Sequence, residues 1–198
     1  MANLITFSRF PLMFFYVALL YFGNATVLLW CIPLIAIIFF MDTVDGYVAR
    51  IRGEVSLLGS AFDIATDRTL EIVLWVVFAD LKMIPIIIPI IAIVRGTTVD
   101  AVRAVGISQG VAAFEQVQHP ISKMLVSSRF MRDVYGVVKG VAFILLTANL
   151  WADRVNLPSV AAIHLITLTI CWLAISMTIA RGLPVLVEGY SLFRVRTS

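Results

Sequence analysis

The sequence predicts an all-α integral membrane protein, a bundle of six transmembrane helices with a short N-terminal interfacial segment. Three observations lead there. Of the 198 residues, 61% are hydrophobic and only 14% are charged, with a mean hydropathy of +1.01, whereas a soluble domain carries about a quarter charged residues. Apolar runs recur at lengths near the roughly 20 residues a helix needs to cross the hydrocarbon. Lysine and arginine gather on alternate connections between those runs, as they do when one side of a membrane is cytoplasmic. The chain reads as one membrane domain over residues 1–198.

Leu4 to Phe22 is the first span, and it opens with Asn3, Thr6 and Arg9 at a spacing of three, so these share a helical face. Arg9 is its one early charge and no small-residue cleavage site follows, so the segment is expected to be retained rather than removed as a signal peptide. Tyr21 to Ala25 is a short turn. Thr26 to about Ile51 is the second helix, apolar to Met41 and then acidic. Arg52-Gly53-Glu54 turns the chain, and Leu57 to Ala79 is the third helix. After Asp80-Leu81-Lys82 the fourth runs from Met83 to about Val105, with Pro85 and Pro89 in its first turns, where proline costs least.

Gly106 to Asp133 is the longest stretch of low hydropathy, and part of it continues the fourth helix. Val134 to Trp151 and Ser159 to Ile179 are the fifth and sixth spans. From Arg181 the chain has Pro184 and then an apolar–basic mix. That tail, about residues 182–198, is expected along the interface. With this layout, 11 of the 15 Lys and Arg, Arg181 among them, lie on one face, only Lys82 and Arg154 on the other, and Arg68 and Arg95 within spans. The bias puts both termini and the acidic stretch on the cytoplasmic side of a cell membrane.

Residues 42–67 ask for a common explanation, because a carboxylate at membrane depth is costly and by default marks a functional site. Asp42 and Asp45 are three apart, with Gly46 and Ala49 on the same stripe; Asp63 and Asp67 are four apart, with Gly59 one turn before. Four carboxylates together repel unless protonated or bridged by cations, and oxygen-only donors suit hard divalent ions such as Mg²⁺, Mn²⁺ or Ca²⁺, two of which would balance the four charges. Small residues beside them leave room for a flat group against the backbone. Arg50, Arg95, Arg103, Arg129 and Lys139 form a basic set suited to an anionic substrate.

The pattern D-x2-D-G-x2-A-R-x8-G-x3-D-x3-D, here Asp42, Asp45, Gly46, Ala49, Arg50, Gly59, Asp63 and Asp67, resembles the signature of the CDP-alcohol phosphotransferases at every specified position. The opening N-x-x-T-x-x-R of Asn3, Thr6 and Arg9 is similar to that family's first segment. The resemblance implies transfer of a phosphatidyl or similar group from a CDP-linked lipid to an alcohol, with release of CMP. It implies that Asp42, Asp45, Asp63 and Asp67 hold divalent metal and that Asp67 also takes the proton of the acceptor hydroxyl. Gly46, Ala49, Gly59 and Ser60 would accommodate the cytidine, and Arg50, Asn3 and Thr6 would contact the nucleotide. A homodimer is also implied.

Arg95 lies eight residues before Arg103, similar to the R-E-x6-R pattern of phosphatidylglycerophosphate synthases, with Gly96 in place of the glutamate. Gly136 to Gly140, with Lys139, resembles a G-K-x-K-T segment without its first lysine. Arg95, Arg103, Arg129 and Lys139 are therefore the candidates for holding an acceptor phosphate, and glycerol 3-phosphate is the expected acceptor. Inositol 1-phosphate is the alternative, ahead of phosphatidylglycerol or serine. A cation or proton transporter is a more distant reading, since it needs carboxylates but not this spacing with small residues. No nucleic-acid partner is expected. Cys31 and Cys171 read as small core hydrophobes, His119 and His164 as structural or solvated, and the four tryptophans as packing or interfacial residues.

Overall fold

The computed structural model describes residues 2–52, 57–108 and 128–194, with side chains described outside 2–6, 42–63, 103, 105–108, 129 and 189–194. Among the described residues there are six helices and no strands: α1 (Ala2–Phe22), α2 (Ala25–Arg52), α3 (Leu57–Asp80), α4 (Ile87–Ser108), α5 (Arg129–Arg154) and α6 (Val160–Arg194). They fall into two compact units, Met1–Ile86 with Gly140–Leu168, and Ile87–Lys139 with Thr169–Ser198.

In the first unit α1 packs on α2 and α3. The buried positions follow helical periodicity: Met13, Tyr16 and Leu20 on α1, Leu28, Cys31, Ile35 and Ile38 on α2, and Leu70, Leu74 and Phe78 on α3. Phe143 of α5 centres the packing, 4.4 Å from the Trp75 ring, 5.6 Å from Phe39 and 6.3 Å from Phe78. The opposite faces are apolar as well, with Phe14, Phe15, Phe22, Trp30, Ile37 and Phe40 exposed. A helix apolar on its outer face suits lipid rather than water. Phe130–Arg154 and Val160–Glu188 are each long and apolar enough to cross a membrane, and Phe7–Phe22 and Ala25–Met41 are shorter apolar helices.

The connections show how the helices stop. Gly23 ends α1: a Cβ there would meet the Leu19 carbonyl and lie 2.7 Å from Cγ1 of Val27, so only glycine fits. Asn24 then caps α2, its Oδ1 accepting from the Val27 N–H at 3.0 Å. Among the described residues, two helices end in Schellman motifs. After α3, the Met83 N–H bonds the Phe78 carbonyl and Lys82 N–H that of Ala79, with Lys82 at φ 61°. After α5, Leu157 bonds Ala152 and Asn156 bonds Asp153, with Asn156 at φ 49°. Each left-handed residue lets the chain satisfy carbonyls that the helix end leaves open.

Three boundaries differ from the expectation. The fourth helix starts at Ile87 instead of Met83, because the Schellman turn occupies Lys82 and Met83, and Pro85 biases Ile84 away from helical backbone. The fifth starts at Arg129 rather than Val134, since hydropathy marks depth in lipid and not where helical hydrogen bonding begins. The tail expected from residue 182 continues α6 as far as Arg194. Pro184 removes one N–H donor without ending the helix, and Val185 buries against Val99 of α4, beside Val102 and Leu186. The N-terminal segment is likewise continuous with α1.

Candidate functional site

The signature runs across two consecutive helices of the first unit. Asp42, Asp45, Gly46, Ala49 and Arg50 occupy the last turns of α2; Gly59, Ser60, Asp63 and Asp67 occupy the first turns of α3. The helical backbone keeps the aspartates at the spacings that put each pair in register on its own helix. Asn3 and Thr6 open α1. The side chains of all these residues except Asp67 lie outside the described ones.

Asp67 is half-buried and engaged with neighbouring groups. The turns around it are closed: Thr66 and Leu70 are buried, and Thr69 donates to the Ala65 carbonyl at 2.8 Å. One turn further, Glu71 is only 3% exposed, with an Arg68 Nη1–Oε2 distance of 3.4 Å. Glu71 was not singled out by the sequence reading. Its signal is the continued spacing of four from Asp63 through Asp67, which makes it a further carboxylate in the same register. Arg9, completing the polar face of Asn3 and Thr6, is fully buried on α1. A guanidinium so placed needs polar neighbours.

The four residues expected to hold an acceptor phosphate all belong to the second unit. The side chains of Arg103 and Arg129 lie outside the described ones. Arg95 is half-buried and lies along α6 at Gly182, where a Cβ would come within 2.7 Å of its Nε. Lys139 is 5% exposed, and its Nζ sits 5.5 Å from the centre of the Tyr135 ring. The same ring faces the Arg181 guanidinium at 5.2 Å. Arg181, 9% exposed, also donates from Nη1 to the Met131 carbonyl at 3.0 Å. Thr178 hydrogen-bonds the Tyr135 phenol at 3.0 Å. Tyr135 and Thr178 were missed in the sequence, and Arg181 figured there only as a charge on the cytoplasmic side. Nothing in their spacing reveals that two helices bring them to one ring.

Among the described side chains no group of three His, Cys, Asp or Glu could hold a metal ion, three of the four expected ligands lying outside them. The donor chemistry of the aspartates nonetheless fits hard divalent cations, being carboxylate oxygen throughout.

Comparison with curated proteins gave no match. The family model described as CDP-alcohol phosphatidyltransferase matches residues 1–184, a stretch that includes the whole signature and, among the described residues, all of α1 to α5, with α6 matched as far as Pro184. The chain therefore belongs to the CDP-alcohol phosphatidyltransferase family, membrane-associated transferases of phospholipid synthesis that move a phosphatidyl group from a CDP-alcohol to an alcohol acceptor.

Proposed function

We propose that the protein transfers the phosphatidyl group of CDP-diacylglycerol to glycerol 3-phosphate, forming phosphatidylglycerophosphate and CMP. The observation that carries this reading is the complete signature, Asp42 to Asp67, set on two consecutive helices within the matched family region. The reaction needs an acceptor hydroxyl to attack the phosphorus that bears the diacylglycerol. The bond to the bridging diphosphate oxygen breaks, and CMP leaves with its electron pair. Asp67 takes the hydroxyl proton; a carboxylate next to the acceptor suits that task. Asp42, Asp45, Asp63 and Asp67 would hold Mg²⁺ or Mn²⁺, which supplies charge neutralisation to the diphosphate. Gly46, Ala49, Gly59 and Ser60 give the cytidine a surface without bulky side chains, and Arg50, Asn3 and Thr6 bind the nucleotide.

The acceptor phosphate is met by Arg95, Arg103, Arg129 and Lys139, and the charge of the last is already desolvated. The same reading has one domain over residues 1–198, six spans in a cell membrane, a homodimer, and the active site with both termini on the cytoplasmic side. Inositol 1-phosphate is the second acceptor to consider, because Gly96 stands where the glycerol phosphate enzymes carry glutamate.

Purified protein given CDP-diacylglycerol, Mg²⁺ or Mn²⁺ and either acceptor should release CMP, and the lipid product identifies the acceptor. Chelation with EDTA should stop turnover, and either ion should restore it. Asp67→Asn should abolish turnover while CDP-lipid binding largely survives; persistent turnover in that variant rules out Asp67 as the base. Ion flux through liposomes without CDP-lipid would favour the transporter instead.

A further inference from the structure

We propose that Tyr135 is a positioning residue of the acceptor site, its ring setting where Lys139 and Arg181 present their charges to a phosphomonoester. The inference rests on the reading that Lys139 serves the acceptor phosphate. Tyr135 and Lys139 are four apart on α5 and so share a face. Arg181 arrives from α6, and its guanidinium lies 5.2 Å from the ring centre, with the Lys139 ammonium 5.5 Å from the same centre. Two like charges converge on one ring although both are almost fully buried. The ring's negative face attracts each of them, and it does so more strongly when water is excluded.

The rest of the cluster removes the freedom of the parts. Arg181 is tied through Nη1 to the Met131 carbonyl, one helical turn before Tyr135. The phenol is tied to Thr178, whose hydroxyl also bonds the Ala174 carbonyl at 2.9 Å. Thr178 and Arg181 are three apart, so one turn of α6 grips both the phenol end and the face of the same ring. The result is a guanidinium and an ammonium held at fixed positions, a planar fork and a point charge. That pairing suits a phosphate dianion. Side chains this long lose much rotamer freedom when a ligand orders them, so ordering them beforehand favours binding.

The test is steady-state kinetics on the full-length protein, with glycerol 3-phosphate or inositol 1-phosphate, whichever supports CMP release. Tyr135→Leu should raise KM for the acceptor about tenfold or more, with kcat lowered less than threefold and KM for CDP-diacylglycerol changed less than twofold. Tyr135→Phe, which keeps the ring, should bring the acceptor KM back to within threefold of the parent. Equal damage from Phe and Leu, or a loss spread over both substrates, overturns the proposal. If Tyr135→Leu fails to fold, pentafluorophenylalanine at 135 keeps the ring's shape and reverses its electrostatics; an unraised acceptor KM there overturns the proposal equally. Lys139→Ala separates the two levels. If it leaves the acceptor KM unchanged, the acceptor-site reading itself falls; if it raises KM and Tyr135→Leu does not, only the role of Tyr135 falls.

Discussion

Arg95 of α4 lies against α6 where residue 182 has no side chain: a Cβ on Gly182 would sit 2.7 Å from Nε and 2.8 Å from Cγ of Arg95. Contacts that short force the arginine to leave its seat, because the Cγ is too near its own backbone to swing away cheaply. Gly182→Ala should therefore act through Arg95. The expected outcome is a several-fold rise in acceptor KM with a stability loss of about 1 kcal/mol or less, the scale of an off-rotamer side chain. In an Arg95→Ala background the same substitution should have little further effect. A double-mutant cycle reads that coupling directly.

A buried relay joins α1 to α5. The Thr147 hydroxyl donates to the Phe143 carbonyl at 2.8 Å, so its oxygen is left to accept from the Tyr16 phenol at 2.6 Å. The two ends of the Tyr16–Thr147 bond should respond unequally to deletion. Tyr16→Phe removes the donor and leaves Thr147 bonded, costing about 1 kcal/mol. Thr147→Val leaves the fully buried phenol without its acceptor and should cost about 1–3 kcal/mol. Thermal unfolding in detergent, comparing both variants with the parent, checks the order.

Lys82 holds φ 61° in the Schellman turn that ends α3. Left-handed backbone costs an L residue with a Cβ roughly 1–2 kcal/mol, and glycine avoids it. Lys82→Gly should raise stability by about 0.5–1 kcal/mol, net of the extra freedom glycine gains in the unfolded chain. The same change at Asn156, φ 49°, should gain less, since asparagine tolerates this conformation. Paired melting curves separate the two sites.

Much of the fold was legible because long apolar runs bounded by polar turns read as helices, and most helix ends fell within a few residues of the expected places. What was not legible depended on hydrogen bonding that hydropathy does not report. The α3 cap displaced the start of α4 from Met83 to Ile87, and Pro184 did not stop α6. The signature was readable because it is a pattern of spacing along two consecutive helices. The surroundings of Lys139 were not, because Tyr135 and Arg181 are 46 residues apart and meet only through packing. Glu71 stood between the two cases: its register was visible, but its burial was not.

The two native thiols, Cys31 and Cys171, are both buried. In contrast, the turn from Asp153 to Asn156 is exposed throughout. The wild-type chain is thus already a silent background for a membrane-impermeant maleimide. Val155→Cys would introduce an accessible handle without removing either native cysteine or disturbing the left-handed Asn156. In intact cells or sealed vesicles, reagent added outside would tag that turn if it faces outward and spare it if it faces the cytoplasm. One added sulfur atom would in this way fix the direction in which the whole chain is threaded.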